Sequence, residues 1–448
     1  MNVKELLNTI RDNKDRLETN AKLIDILDGN LLPYVKNQLS KELSTSAYDR
    51  SVGRIAPVNV FKKLVDKLTR LYSEGVIRST ENDTDKELLA YYEENMDLNQ
   101  SMQFANKLFN ATGYVALMPI VYDGRPVLKI IPADKFLVFN YSINNNNKID
   151  LFVEISGEDQ EGNVIYTAWT DTEMLVFDSN GNIRSEFMYE GGVNPYETIP
   201  VVYIGKSKIS LMPATDKGSF TLAKLPSILL TDLNYSVQYM SHSIIYGVDV
   251  DIAQASANPD SLWILNSIEG ERTSPSIGTI TPNVDIDGVL KIIKEEIAMW
   301  FEARGVKTTS TATLNVNNAA SGIAKMIDES DTTQNIKEQA EIFKNAEGEL
   351  WELIKLMHNV WISSGFIVDE ARAFSKDFNV EVSYKEIKPL VDMKTEIEKA
   401  KTLLELGLIN KQDALRMVFP DLTDEQAAEK LSEIEAGRMK MIEAVNAA

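Results

Sequence analysis

One short string in the sequence ends like a phosphate-binding loop, but it lacks a residue that such a loop needs. Gly205-Lys206-Ser207 would close a P-loop only if a glycine stood five residues before Gly205. That position is Pro200, which has no amide N–H to offer to a phosphate oxygen. The sequence therefore gives no support to a nucleotide site of this type.

A second string imitates the start of a calcium-binding EF-hand loop. Asn283, Asp285 and Asp287 stand at the ligand spacing, and Gly288 follows them. The twelfth position is Lys294 rather than a glutamate that could bind the cation through both oxygens, and no helix of the right phase precedes the string. Asp285 or Asp287 is better explained as the N-cap of the helix that follows.

Histidines and carboxylates offer no arranged pair for catalysis. His242 and His358 are each isolated on a predicted helix, so packing in a core or interface is favoured over a role as ligand or base. Glu295 and Glu296 are adjacent on a helix, and their side chains therefore point about 100° apart, as on a solvated face. We expect no enzyme, no catalytic residue, no metal and no cofactor. A hydrolase whose carboxylates are brought together by folding is the less favoured alternative.

Composition narrows the class of protein. The 448 residues include no cysteine, which removes disulfides and thiolate sites and suits a reducing cytoplasm. No stretch approaches the roughly 20 apolar residues of a membrane span, and the N-terminus has no apolar signal segment. We therefore expect a soluble protein that contacts no membrane. Its length exceeds what one hydrophobic core sustains, so two or more lobes are expected.

The charge is strongly acidic. Lys and Arg number 46 against 67 Asp and Glu, a formal net charge of −21, which is the reverse of what a tight nucleic-acid binder shows. An acidic surface near DNA would repel phosphate, and this is useful if DNA must slide past. The alternative is that the charge only keeps a large protein soluble.

The elements that must position any site change from helical to β-rich in the first half of the chain. Apolar residues recur at helical spacing over residues 3–27 and 58–74, and a third helix is predicted over residues 83–109. YVALMPIVY and PVLKIIP flank Asp123-Gly124, which predicts a hairpin. Further strand-like runs are LFVEIS, NVIYTAWT and EMLVF, and DSNGN forms a tight turn before IRSEFMY.

The second half returns to helical periodicity around a small insertion. Helices are predicted over residues 225–244 and 287–304, and they bracket a segment of different composition, residues 251–283. Residues 305–318 form a polar Thr/Asn-rich loop, and a long helix over residues 321–361 follows. The first helix has its stripe at Leu229, Leu233, Val237, Met240 and Ile244. The second has Val289, Leu290, Ile293, Ile297, Trp300 and Phe301. The long helix has Ile336, Ala340, Phe343, Leu350, Leu353, Met357 and Trp361.

The end of the chain is predicted from shorter signals. FNVEVSY is one last strand, and residues from Val391 onward are helical. Gly407 ends one helix, and residues 423–426 form a capping box that opens the final helix. Residues 144–147, a run of asparagines, are predicted to be an exposed turn.

This order of elements resembles that of the portal proteins of tailed bacteriophages, whose regions are called wing, stem, clip and crown. NVFKKLVDKLTRLYSEG is similar to the early portal helix that ends in a glycine turn, and NATGYVALMPIVYDGRPVLKIIPADKFLVF is similar to the wing hairpin leading to a Pro-x-Asp step. NNAASGIAKMI resembles the entry into the long helix behind the tunnel loop. VEVSYKEIKPLVDMKTEIEKAKTLLELGLINKQDALRM resembles the strand and paired helices that follow.

The resemblance implies an α+β fold with the portal architecture. The implied regions are a wing over residues 1–224, a stem helix over 225–250, a clip over 251–284, a second stem helix over 285–304, a tunnel loop over 305–320, a long helix returning to the wing over 321–390, and a helical crown over 391–448.

The resemblance also implies a function and partners. The assembled form would be a ring of about twelve subunits at one capsid vertex, serving as the channel for double-stranded DNA packaging and ejection. Partners would be the major capsid protein or scaffold, the large terminase, the head-to-tail adaptor, and DNA that passes without tight or sequence-specific binding. The chain would be a virion protein assembled in the host cytoplasm. Another structural part of a virion, in the tail or baseplate, is the alternative.

Two sets of residues are expected to make the contacts. The loop would touch DNA through polar side chains and its one cation: Lys307, Thr308, Thr309, Asn315, Asn317 and Asn318. Trp263 and Ile264 would anchor the clip interface. The loop could instead be a surface connection, and Trp263 could pack under its own sheet. The two stem stripes are expected to need neighbouring subunits for their burial, unless both are buried within one chain.

Overall fold

The computed structural model describes residues 1–141, 148–207, 209–241, 244–248, 276–280, 285–306, 322–367, 372–384, 393–407, 409–419, 428 and 430–432. They belong to two compact units. One comprises Met1–Val306 with Asn335–Lys385, and the other comprises Lys307–Gln334 with Glu386–Ala448. Helices occur together with antiparallel sheets, which confirms the α+β class. The division into wing, stem, clip, loop and crown stays a prediction.

The first part of the chain is helical. The helices are α1 (Val3–Asp12), α2 (Lys14–Asp28), α3 (Leu32–Glu42), α4 (Thr45–Ser51), α5 (Val60–Leu68), α6 (Asp83–Asn95) and α7 (Leu98–Thr112). The helix predicted over residues 3–27 is interrupted at Asn13, and the one predicted over 83–109 breaks at Asp97, whose φ is 42°. The helix predicted over 58–74 ends at Leu68, although Leu71 and Tyr72 remain buried in the turns that follow. α3 and α4 had not been predicted.

The predicted hairpin is confirmed. It consists of β2 (Tyr114–Tyr122) and β3 (Arg125–Pro132), and β8 (Val202–Gly205) pairs with the other edge of β2. Asp123 and Gly124 have φ values of 51° and 74°. Positive φ at both central residues is the geometry of a type I′ turn, whose twist matches that of the paired strands. The dipeptide therefore fixes the register of the hairpin.

A second antiparallel sheet contains β4 (Phe136–Phe139), β5 (Leu151–Glu158), β6 (Val164–Trp169) and β7 (Met174–Asp178), in that order. The strands predicted at LFVEIS, NVIYTAWT and EMLVF are thus confirmed. The strand implied by IRSEFMY is not present: Ile183 makes one isolated bridge to Phe177, and Ser185–Phe187 is a short 3₁₀ helix. Arg184 donates its N–H to the Val176 carbonyl of β7 at 2.8 Å, and its side chain pairs with Asp159 and Asp178.

Two turns of this sheet share one construction. In DQEGN and DSNGN the first aspartate accepts backbone N–H groups two and four residues later, with Asp178 receiving them from Asn180 and Asn182 at 3.0 and 2.9 Å. Arg184 bridges both turns at 2.7 Å from Asp159 and 3.0 Å from Asp178. Burial raises the pKa of Asp178, but these hydrogen bonds and the Arg184 charge outweigh it and hold that pKa below its usual value.

The two predicted stem helices and strands between them are present, with corrected boundaries. α8 (Lys217–Ser241) begins eight residues before Leu225 and contains Pro226 in its interior. The chain then forms β9 (Ile244–Val248), which pairs antiparallel with β10 (Ser276–Ile280) before α9 (Ile286–Glu302). Ile244 therefore lies in a strand and not on the helix stripe. Asp285 is the N-cap of α9 and accepts the Gly288 N–H at 2.9 Å. This confirms one of the two N-caps, Asp285 or Asp287, that the sequence predicted.

The last elements include the predicted long helix. α10 (Gly322–Ser363) has 42 residues, and every residue of its predicted stripe is buried except the half-buried Ala340. β11 (Glu381–Tyr384) confirms the predicted last strand and pairs with β1 (Val76–Ser79), which had not been predicted.

In the other unit, α11 (Met393–Glu405) is followed by Gly407 with a φ of 69°, which confirms the predicted end of that helix. α12 (Lys411–Val418) then opens with a capping box of Asn410 and Asp413. The capping box predicted at residues 423–426 and the asparagine turn at residues 144–147 lie outside the described residues.

Candidate functional site

The predicted contact residues lie outside the part of the chain that the structure describes. This holds for the loop residues Lys307, Thr308, Thr309, Asn315, Asn317 and Asn318, and for the clip residues Trp263 and Ile264. The structure does describe the base from which the loop starts. We call this the helix-pair base, and it comprises the beginning of α8, the end of α9 through Val306, and Asn335 on α10.

α9 ends in a Schellman motif that fixes the direction of the departing chain. The Val306 N–H donates to the Phe301 carbonyl at 3.0 Å, and the Gly305 N–H donates to the Glu302 carbonyl at 2.9 Å. Gly305 has a φ of 72°, a conformation that glycine adopts without strain. Val306 and Phe301 are each 1% exposed in one apolar cluster, which supplies the hydrophobic contact of the motif. The first residues of the predicted loop are therefore rigidly placed.

A charged contact joins the end of α9 to the start of α8. Asp216 caps α8 by accepting the Ser219 N–H and hydroxyl, both at 2.8 Å. The Arg304 guanidinium donates to the same Asp216 carboxylate and to the Ser219 hydroxyl. Burial acts to raise the pKa of Asp216, but the Ser219 hydrogen bonds and Arg304 lower it overall. Asp216 is thus held as an anion between the two helices.

A chain of side-chain amides ties this base to the interior. Asn335 Nδ2 donates to the Arg304 carbonyl at 3.1 Å, and Gln339 Nε2 donates to Asn335 Oδ1 at 3.1 Å. Gln339 Oε1 accepts from Asn106 at 2.9 Å and Asn110 at 3.1 Å, both on α7. The chain that leaves at Val306 therefore returns at Asn335 to the same point, because a hydrogen bond joins Asn335 to the residue two before Val306.

The core beneath the base is aromatic and comes from distant parts of the sequence. The Trp300 ring stacks on Phe61 of α5, with ring centroids 6.3 Å apart. Leu233 of α8 and Ile293 of α9 are also buried, at 7% and 5% exposure. Leu233 of the first predicted stripe and Ile293, Trp300 and Phe301 of the second are therefore covered within one chain, so the alternative of internal burial is correct for these four residues.

One flank of α9 stays uncovered by the described part of the chain. Ile292 is 53% exposed and Met299 is 63% exposed, and they share a face because they are seven residues apart. Val237, near the same end of α8 as the strands, is 37% exposed. The apolar surface that the described residues leave uncovered thus includes Val237 of the predicted α8 stripe, together with Ile292 and Met299, which are not part of the predicted α9 stripe.

A buried charge network lies elsewhere in the same unit. Arg78 of β1 binds Glu347 of α10 through Nε at 2.5 Å and Nη2 at 3.0 Å, and both side chains are 0% exposed. Its Nη1 donates to Glu93 and Asn99, each at 2.9 Å. Tyr72 donates to Glu347 at 2.6 Å. Burial, followed by the negative charge of Glu347, raises the pKa of Tyr72 well above its usual value. The guanidinium donates four hydrogen bonds within the chain, which leave it little capacity to bind a substrate.

The remaining candidates for chemistry have structural surroundings. His358 is fully buried, and its Nε2 lies 2.6 Å from the Arg372 carbonyl, which can only accept. Nδ1 is then the acceptor for the Tyr92 hydroxyl at 2.7 Å. The prediction of core packing is confirmed for His358, whereas His242 lies outside the described residues. Within the described ranges no group of three or more His, Asp and Glu is placed to hold a metal ion.

Sequence reasoning missed the residues that build the base. The Arg304–Asp216 pair and Asn335 have no local signal, since they are far apart in the sequence. The Schellman motif did have one: Gly305 follows the last periodic residues of α9 directly, as a C′ glycine does.

None of the helices, over the residues described, is both long and apolar enough to cross a membrane.

The sequence matches no protein-family model and no curated protein. Among solved structures, the chain is similar to one from the neck of an empty GTA particle computed with C6 symmetry, at 10% identity and a TM-score of 0.40 over 81% of this chain and 90% of that one. It is also similar to a chain from the virion of a native gene transfer agent particle, at 11% identity, a TM-score of 0.40 and the same coverage.

Proposed function

We propose that this chain is the subunit of a portal-type ring at one capsid vertex. In this proposal the ring is the channel through which double-stranded DNA is packaged and ejected. It is also the platform on which the large terminase and then the head-to-tail adaptor dock. The chain acts as a passive conduit and not as an enzyme.

One observation carries the proposal: residues 307–334 leave and rejoin the folded chain at a single rigid point. The Schellman motif sets the departure at Val306, and Asn335 binds the Arg304 carbonyl at the return. A segment held at both ends can project into a channel while its root stays fixed. In our proposal its Thr and Asn side chains and Lys307 make transient contacts with phosphate.

The helix pair supports a ring. α8 and α9 are joined through a two-stranded sheet at one end and through Arg304 and Asp216 at the other. Such a pair forms a stiff rod whose covered side packs on its own subunit. The uncovered flank with Ile292 and Met299 is then available to a neighbouring copy.

Charge is consistent with DNA that slides rather than binds. At −21 per chain, an assembled ring repels phosphate over most of its surface. Affinity is therefore supplied only where a cation such as Lys307 projects. Tight binding would stop translocation, so this arrangement suits a conduit better than a DNA-binding module.

The decisive experiment is imaging of purified protein by negative stain, with native mass spectrometry at micromolar concentration. We expect rings with a central hole and a mass that is a multiple of the subunit. Monomers and dimers alone, at every salt concentration tested and without capsid components, would contradict the ring.

The channel role needs its own test. Deleting residues 309–313 should leave the ring intact and reduce the DNA packaged, or let packaged DNA leak. Normal packaging and retention with that deletion would exclude a channel role for the loop. For the clip, Trp263→Ala should weaken terminase and adaptor binding without unfolding the chain. Unchanged binding would exclude Trp263 from that contact.

A further inference from the structure

A groove on the β-rich part of the chain carries the opposite charge to the molecule as a whole. It has a volume of about 760 Å³ and lies where α1 and α2 meet β3, β5 and β6. Its floor is apolar, with Leu7, Ile10, Ile131, Ile155 and Tyr166 among its lining residues. We call it the basic groove because of its rim.

The rim of the basic groove holds more cations than anions. Arg11, Lys14, Lys129 and Lys135 line it, against the carboxylates of Glu154 and Glu158. Lys129 is paired with Glu154, and Lys14 lies 3.6 Å from Glu18 on α2, whereas Arg11 and Lys135 add two further positive charges to the rim. A net positive rim is unusual on a chain of charge −21, and it favours an occupant that is both acidic and apolar.

The same chain exposes a loop with those two properties. Residues 183–197, the acidic loop, expose the apolar side chains of Ile183, Phe187 and Val193 at 56%, 62% and 59%. Glu186 and Glu190 are exposed between them. The one cation of the loop, Arg184, is engaged by Asp159 and Asp178 and also lies 3.9 Å from Glu186. The exposed carboxylates of Glu190 and Glu197 add to that of Glu186, so the outer surface of the loop is acidic.

The acidic loop is held in one conformation before any partner arrives. Isolated β-bridges join Ile183 to Phe177 and Val193 to Glu173. Asn194 Nδ2 donates to the carbonyls of Thr170 at 2.8 Å and Thr198 at 2.7 Å. A preordered loop loses little conformational entropy on docking, which makes an exposed Phe187 an effective anchor.

We infer that the acidic loop of one copy docks into the basic groove of the next copy. The two surfaces share no residue, so one copy can dock by its loop to the next copy and by its groove to the previous one, which is the heterologous contact that a ring requires. This inference rests on the proposed function for its closed geometry. It adds a second, outer interface to the one on the helix-pair flank.

A charge-swap experiment tests the docking. One variant carries Lys14→Glu with Lys135→Glu in the groove, and the other carries Glu186→Lys with Glu190→Lys in the loop. Either variant on its own places like charges on the two sides of every loop–groove contact. We expect each to raise the concentration needed for assembly at least tenfold. An equimolar mixture should assemble like the wild type, because each loop then meets a groove of opposite charge.

Matched controls separate this effect from general changes in charge or folding. Lys4→Glu with Lys22→Glu makes the same reversal on α1 and α2 outside the groove, and it should assemble like the wild type. The thermal midpoint of each variant, measured by circular dichroism, should match that of the wild-type subunit. A groove or loop variant that unfolds is replaced by its charge-neutral form, Lys→Gln or Glu→Gln, for which a smaller but mixture-dependent loss is expected.

The outcomes distinguish this inference from the proposed function. The docking is wrong, and the ring is unaffected, if the wild type forms rings and both charge-reversed variants assemble equally well. The same conclusion follows if the mixture of the two variants does not restore assembly. Recovery in the mixture into open chains rather than closed rings supports the docking and overturns the ring. A wild-type chain that stays monomeric in all conditions overturns both.

Discussion

The Arg78 network buries charged side chains, whereas the exposed flank of α9 places apolar side chains in solvent. Each arrangement is unfavourable unless another group compensates for it. Arg78 and Glu347 are charged and completely buried, and the guanidinium makes four hydrogen bonds within the subunit. Ile292 and Met299 are apolar and lie more than half exposed on a rigid helix. The first region is complete within the chain, whereas the second leaves apolar surface that the described residues do not cover.

In the proposed ring, the difference separates the interactions that stabilise one chain from those that join neighbouring copies. A buried ion pair tolerates no missing member, because the survivor is left charged in a medium that solvates it poorly. An exposed apolar pair on a well-packed helix contributes little to folding, and it gains free energy only when another surface covers it. Variants in the two regions should therefore separate folding from assembly.

The largest effect is expected from the network. Arg78→Ala leaves Glu347 as an unpaired buried carboxylate, and we expect a loss of about 3–5 kcal/mol in the free energy of unfolding. Urea unfolding followed by tryptophan fluorescence measures it. A double-mutant cycle with Glu347→Gln should show strong coupling, because the second change removes the charge that the first one strands.

An exposed pair provides the control for Arg78→Ala. Lys86 and Asp83 lie 2.8 Å apart on the surface of α6, and Lys86→Ala should cost less than about 0.5 kcal/mol. Equal losses from Lys86→Ala and Arg78→Ala would mean that burial does not determine how much these ion pairs contribute to the free energy of unfolding.

The sequence predicted well those elements whose signal is local. Asp123-Gly124 specifies a hairpin because few residues adopt positive φ, and the stripe of α10 repeats over enough turns to be unambiguous. The N-cap at Asp285 was narrowed to two residues for the same reason. In each case the energy that favours the element is determined by residues a few positions apart.

What could not be predicted depends on residues that meet only in the folded chain. Arg78 and Glu347 are 269 positions apart, and neither string around them suggests an ion pair. Phe61 packs on Trp300 and covers the predicted stripe of α9 within the chain, and periodicity alone could not decide between this and burial against a neighbouring copy. Pro226 within α8 likewise looks like a helix boundary unless Asp216 and Ser219 are known to cap the helix earlier.

An intermediate loss of stability is expected at Gly305, the glycine that ends α9. Gly305→Ala forces a φ of 72° on a residue with a Cβ and places that atom 3.0 Å from the Asn335 amide. We expect a loss of about 1–2 kcal/mol in the free energy of unfolding. Gly348→Ala is the control, since Gly348 is within α10 with open space around its Cβ position and should gain slightly in stability. A neutral Gly305→Ala would mean that the Schellman motif does not fix the root of the loop.

The smallest effect on folding is expected at the exposed flank, where the change should weaken assembly instead. Ile292→Gln with Met299→Gln changes two side chains that the described part of the chain leaves more than half exposed, so the free energy of unfolding should shift by no more than about 0.5 kcal/mol. Ring formation, followed by native mass spectrometry over a dilution series, should nevertheless be lost or weakened. Asp287→Asn with Lys294→Gln, two exposed residues of α9 that point away from Ile292 and Met299 and whose changes cancel in net charge, should change neither quantity. If the Ile292 and Met299 variant instead destabilises the isolated subunit and assembles normally, then this flank is covered within the chain, and the apolar surface on α9 is not a subunit interface.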